Sequence, residues 1–317
     1  MASSMLRTSI APALLFITGS LLLVQCEEKK APAPEKTSSA SVIESPKPVA
    51  PKPQETAAAP KVKVFWTEEL LHKEIKFHNL AYEGNAQFQI ENGEPYAISL
   101  AGTKVDNLKA LQGRPLKALD LSDTTITDLS PLKGMPLLEL YLERSKVVDL
   151  SPLRGLPIQK LYLTSTQVSD ISALDGMPLV EFNAVDAKIV DLAPLRHSPI
   201  AMLWLTGCPV VDVSPLHDVP LVSVTLLRTK VKDLSPFSGT KLQRLHIGET
   251  PVEDLSPLKD VPLTRLVFTP ANIKAGMDVA KALPLKEIGT QFDDAGKDLA
   301  PPDVFWAKMA APAPAAK

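Results

Sequence analysis

The chain has 317 residues, room for about two ordinary domains, yet thirty prolines against fourteen glycines and only 5% aromatic residues describe a regularly punctuated or partly extended polymer. Its 34 Lys and Arg balance 36 Asp and Glu, which argues against a nucleic-acid partner, since such a partner calls for a clustered basic excess. Two cysteines, Cys26 and Cys208, form neither a CxxC metal pair nor a disulfide framework.

The chain begins with the layout of an export signal. Arg7 precedes an apolar run over residues 10–24, and the charged stretch Glu27-Glu28-Lys29-Lys30 follows Cys26. The run is short for a membrane span, which needs about 20 residues. Leu23 and Cys26 resemble a bacterial lipoprotein box, although Gln25 departs from the small residue usual before the cysteine. That resemblance implies lipidation at Cys26 and a membrane-anchored lipoprotein of a bacterial cell envelope, periplasmic or surface-facing. An uncleaved anchor is the alternative, and it too places the remainder outside the cytoplasm. Residues 1–26 are thus a signal, and residues 27–62, rich in Pro, Ala and Lys, form a disordered tether.

Residues 63–97 are expected to be an N-terminal cap, with a helix starting at Thr67-Glu68-Glu69 and running to about Leu80. Residues 98–273 then repeat every 21 residues without insertion. One column reads Ile98, Leu119, Leu140, Leu161, Phe182, Leu203, Val224, Leu245 and Leu266. A second, two residues on, runs from Leu100 and Leu121 to Ile247 and Phe268. This period and spacing predict a leucine-rich repeat. The expected fold is an α/β solenoid, right-handed, with a parallel β-sheet on the concave face, short helical or 3-10 turns on the back, and a cap at each end.

In Asp128-Leu129-Ser130-Pro131-Leu132-Lys133-Gly134, Ser130 suits a helix N-cap, Pro131 the first helical position and Gly134 the exit. The column Thr103, Thr124, Ser145, Thr166, Ala187, Cys208, Thr229, Thr250 and Ala271 is expected to be buried, its hydroxyls meeting the amides of the bend. Cys208 is then an inert member of that ladder. Residues 274–307 form a C-terminal cap, with a degenerate strand near Glu287-Ile288, and residues 308–317 an Ala- and Pro-rich tail. The pairs Phe65-Trp66 and Phe305-Trp306 read as end covers.

The repeat LxLxxTxVxDLSPLxGxP, clearest in residues 140–157, resembles the bacterial internalin-like class of leucine-rich repeat. The resemblance implies a protein-binding concave face and no catalysis. The Thr-rich ladder and 21-residue period depart from that class, so a host-receptor role is not carried over.

No GxSxG, HExxH, Walker or dinucleotide signature stands in a workable context, and no cofactor is expected. The column Asp128, Asp149, Asp170, Asp191, Asp212, Asp233 and Asp254 could stack as a calcium ladder, but each Asp precedes a turn and is better placed to cap it, so no metal is assigned. Outward positions between the two buried strand columns are Ser99, Asp120, Tyr141, Tyr162, Asn183, Trp204, Thr225, His246 and Val267. Tyr141, Tyr162 and Trp204 form an aromatic stripe there, flanked by Glu139, Lys160, Glu181, Arg244 and Arg265. Tyr, Trp and Arg dominate binding hot spots, so Tyr141, Tyr162, Trp204, Asn183, His246, Glu139, Glu181 and Arg244 are the candidate partner-binding residues. Mutual stacking to stiffen the sheet is the competing reading of the aromatics. The expected function is a non-enzymatic, envelope-tethered scaffold for a protein partner. A cell-wall glycan-binding module is the alternative, and an enzyme acting through paired carboxylates such as Glu139 and Glu181 stands third.

Overall fold

The computed structural model describes residues 65–291 and 298–310. The readings made for the signal, Cys26 and the tether lie outside these residues. Among the described residues, no helix is long and apolar enough to cross a membrane.

A single sheet of eleven strands takes its strands in chain order. The strands are β1 (Gln87–Glu91), β2 (Glu94–Ser99), β3 (Ala118–Asp120), β4 (Glu139–Tyr141), β5 (Lys160–Tyr162), β6 (Glu181–Asn183), β7 (Met202–Trp204), β8 (Ser223–Thr225), β9 (Arg244–Ile247), β10 (Arg265–Phe268) and β11 (Glu287–Gly289). From β2 onward all neighbours are parallel, and Leu119, Leu140 and Leu161 stand directly side by side. The 21-residue period is therefore one coil of a leucine-rich repeat solenoid. Short strands follow from the repeat itself, because each coil must leave the sheet, cross the back and return within its period.

From β2 to β10 each crossing is a single 3-10 turn such as Ser130–Leu132 or Ser151–Leu153, in most coils with proline near its start. Asp, not Ser, caps it. The Ser130 amide donates to Asp128 Oδ1 at 2.8 Å, and the same bond recurs from Ser151 to Asp149 and from Ala193 to Asp191. The serine expected at the N-cap is instead the first residue of the turn, because the shorter reach of a 3-10 turn puts the carboxylate two residues back under the free amide. That accounts for the aspartate column without a cation.

The ladder is buried as expected except at its last member, Ala271, which is exposed, and its threonine hydroxyls satisfy carbonyls, whereas Ser145 accepts from the Val147 amide at 3.5 Å. Thr124, Thr166 and Thr229 each donate to the carbonyl three residues earlier, at 2.6, 2.8 and 2.7 Å. A carbonyl pointing inward where strand becomes bend has no strand partner, and a hydroxyl from the same bend closes the gap. Cys208 does the equivalent with its thiol, which reaches the Ala184 carbonyl at 2.9 Å.

The core runs the length of the solenoid as stacked aliphatic columns, with Leu119, Leu140 and Leu161 wholly buried. Its ends are closed by different devices. Helix α1 (Glu68–His78) starts at Thr67, whose hydroxyl accepts from the Leu70 amide at 3.3 Å. It stops short of Leu80 at Asn79, whose buried side chain donates back to the Ile75 carbonyl at 3.1 Å and turns toward the first coil. Asn79 Oδ1 accepts from the amides of Asp106 and Asn107 at 3.0 and 2.9 Å, which fastens the cap to the first coil. Strands β1 and β2 form an antiparallel hairpin whose turn, Asn92-Gly93, has positive φ at both residues. This hairpin covers the first edge of the parallel sheet, which would otherwise expose unpaired backbone.

At the other end β11 pairs with β10, with Ile288 opposite Leu266, so the last coil is one residue longer than the rest. Helices α2 (Met277–Ala282) and α3 (Pro302–Ala310) complete the cap. Helix α3 includes residues 308–310, which composition had assigned to the tail. Phe305 and Trp306 on α3 lie 6.2 and 6.4 Å from the Phe268 ring. At the first end, the Trp66 ring sits 3.7 Å from the Arg114 guanidinium carbon.

Candidate functional site

The outward face of the sheet is not uniformly open. Its middle, over β4 to β7, leaves Tyr141, Tyr162, Asn183 and Trp204 half-buried. Toward the ends the same column closes: Ser99 and Thr225 are each 6% exposed, His246 5% and Val267 0%. His246 was expected among the partner-binding residues, and its burial removes it from the accessible surface. His246 stands between the equally buried Thr225 and Val267, with the long side chains of Arg244 and Arg265 in the adjoining column.

The two tyrosines are organised by their neighbours. Tyr141 and Tyr162 face each other on adjacent strands, and their rings stack with centroids 4.9 Å apart at 27°. Tyr141 donates its hydroxyl to Glu139 Oε2 at 2.9 Å, and Tyr162 to Glu181 Oε2 at 2.7 Å. Lys160 stands between those glutamates, 3.3 Å from Glu139 Oε1 and 3.9 Å from Glu181 Oε1. Five side chains thus form a closed arc: phenol, carboxylate, ammonium, carboxylate, phenol. Burial, with the neighbouring carboxylates adding to it, pushes both phenols above the ordinary tyrosine range, so they stay protonated and keep their hydroxyl protons on the carboxylates.

Asn183 continues the row. Its Oδ1 accepts from Thr164 Oγ1 at 3.0 Å and from the Val185 amide at 3.1 Å, which directs its amide nitrogen away from those contacts. Trp204 stands on the next strand, opposite Asn183 on one side and Thr225 on the other. The expected three-ring stripe is therefore a tyrosine pair and a separate indole with an amide between. Stacking of the tyrosines and exposure of their upper surfaces coexist, so the two readings of the aromatics are not exclusive.

Glu139 and Glu181 are engaged as acceptors for the phenols. Among the described residues no group of three His, Cys, Asp or Glu side chains is placed to hold a metal ion. Cys208 is buried, and burial pushes its thiol up to about 11. His217, on the back, bonds through Nδ1 to the Pro236 carbonyl at 2.9 Å.

The parallel sheet, the single 3-10 turn per coil and the capped ends define a leucine-rich repeat protein. Solved structures of that class are similar to it. One is an internalin (inlF) from Listeria monocytogenes, 25% identical with a TM-score of 0.52 over 69% of this chain and 73% of that one. Another is an internalin C2 (inlC2) from the same organism, 26% identical with a TM-score of 0.54 over 63% of this chain and 92% of that one. No protein-family profile matches the chain, and no curated protein matches it in sequence.

Proposed function

We propose that the chain is a non-enzymatic scaffold, exported and tethered to a bacterial envelope through lipidated Cys26, that binds a protein partner on its open sheet face. Tyr141, Tyr162, Asn183, Trp204, Glu139, Glu181 and Arg244 are the contact residues of this reading. One observation carries the assignment of the face. The Tyr141–Tyr162 stack is held by two phenol–carboxylate bonds while its rings stay half-exposed. Fixed aromatic surface lets a partner bind without the cost of ordering those side chains, which is about 0.5–1.5 kcal/mol for each rotamer-rich group. The likeness of fold to the internalins supports a scaffold in general terms.

The test is affinity capture from envelope extract by the full chain and by the Tyr141→Ala/Tyr162→Ala/Trp204→Ala variant. Proteins held by the first and released by the second, with a nearly unchanged thermal melt, support the reading. Retention on purified cell-wall polysaccharide instead supports the glycan-binding alternative. Equal capture by both chains moves the site off this face.

A further inference from the structure

Charge is segregated along the sheet face. Asp120, Glu139 and Glu181 stand on β3, β4 and β6, whereas Arg244 and Arg265 stand side by side on β9 and β10. Between these groups β7 and β8 are uncharged, and Met202 and Trp204 leave part of their surface open there. A partner lying across the strands meets an acidic end, an apolar middle and a basic end in that order.

The cations of this face differ in what they hold. Lys160 is shared by two glutamates. Arg265 grips Glu287 through Nε at 2.7 Å and Nη2 at 2.5 Å. Arg244 has no such partner among the described residues, and its Nε is buried without an acceptor. Its cross-strand neighbours are Ser223 and Arg265, one neutral and one of like charge. His246 adds no charge to the spot, because burial first and the two arginines second hold its imidazole down to about 4. The buried Nε is out of a partner's reach, but Arg244 keeps part of its surface open, and the planar fork of arginine matches a carboxylate in both geometry and charge.

We propose that Arg244 is the carboxylate-receiving position of this face, taking an acidic side chain from an extended segment of a protein partner whose apolar side chain rests on Trp204 and Met202. This inference builds on the partner-binding reading above and names the partner's chemistry. Met202 lies in the same row as Arg244 two strands away, about 10 Å at about 4.8 Å per strand, and Trp204 stands two residues further along its strand. An extended segment covers that distance in about three residues. The partner's acidic and apolar side chains are thus about three positions apart, and a basic side chain is favoured on the far side, toward Glu181 and Glu139.

The experiment is selection of a phage-displayed random dodecapeptide library on the full chain, followed by binding of the enriched peptides to variants. Enriched peptides are expected to carry Asp or Glu about three positions from an aromatic or aliphatic residue. Their affinity should fall about tenfold or more on Arg244→Gln, and less on Arg244→Lys, which keeps the charge and loses the fork. Circular dichroism of each variant separates loss of binding from loss of fold, and the lysine variant serves if glutamine destabilises the coil. Peptides that need Trp204 but tolerate both Arg244→Gln and replacement of their own acids by amides would overturn the carboxylate position and leave the partner face standing. Peptides indifferent to Trp204→Ala as well, or no enrichment at all, would overturn the face itself. An Arg244→Gln effect that vanishes in an Asp293→Asn/Asp294→Asn background would assign the guanidinium to the chain's own acidic pair and overturn the proposal.

Discussion

Asp186 and Arg228 pair across an entire coil, 3.6 Å apart, by passing over the bare Cα of Gly207. A Cβ on Gly207 would stand 2.2 Å from Asp186 Oδ1. All three belong to one column, just after the strand, where the backbone has positive φ, as at Asp123 and Arg144, which bond to each other through two guanidinium contacts of 2.6 Å. Gly207→Ala should therefore cost more stability than Gly102→Ala, which shares the positive φ but has nothing within 4 Å of the new methyl group. The backbone part is about 1 kcal/mol at both sites, and the displaced Asp186 adds to it only at Gly207. Parallel thermal melts of the two variants measure the difference.

Asp149 accepts from the Ser151 amide and hydroxyl, each at 2.8 Å. Asp149→Ala is expected to destabilise the solenoid by about 1 kcal/mol, the usual value of a cap. Addition of calcium or of a chelator should leave the wild-type melt unchanged, because the carboxylate is already occupied by its turn. A melt that rises with calcium would restore the cation reading of this column.

His246 predicts an acid sensitivity with a defined window. Its folded-state pKa of about 4 lies below the ordinary 6.5, so the unfolded chain takes up the proton more readily. Stability is full above about pH 6.5 and falls as pH drops toward 4, by an amount on the order of 3 kcal/mol. His246→Gln should remove that slope between pH 6.5 and 4, leaving the carboxylate-driven loss at lower pH. Denaturant titrations of both chains across this range check it.

The Cys208 thiol, raised to about 11 by burial, is expected to resist alkylation by iodoacetamide at pH 8 until the chain is unfolded in urea. Fast labelling of the native protein at Cys208 would show that the ladder opens on its own. Mass spectrometry of the peptide containing it distinguishes the two outcomes.

Lipidation at Cys26 predicts that cells fed a fatty-acid analogue label the wild-type chain and not Cys26→Ala. A wild-type chain that stays unlabelled and retains residues 1–25 would favour the uncleaved anchor.

The residue columns alone determined the coil. Identical residue types at fixed spacing need identical surroundings, and only stacking at one coil per period supplies them, so strands and turns could be placed from Leu119, Leu140 and Pro131. The antiparallel hairpin was not read from the sequence, because its strands lie outside the repeat, although Asn92-Gly93 is the turn pair such a hairpin favours. Tertiary structure decided the rest, because exposure depends on what packs over and beside a position and not on local alternation. His246 and Tyr141 hold equivalent places in the repeat, yet one is buried and the other half-open. The same holds for charge: Arg244 and Arg265 occupy consecutive positions of one column, and only the packed end of the solenoid, by bringing Glu287 beside Arg265, left one paired and the other without a carboxylate among the described residues.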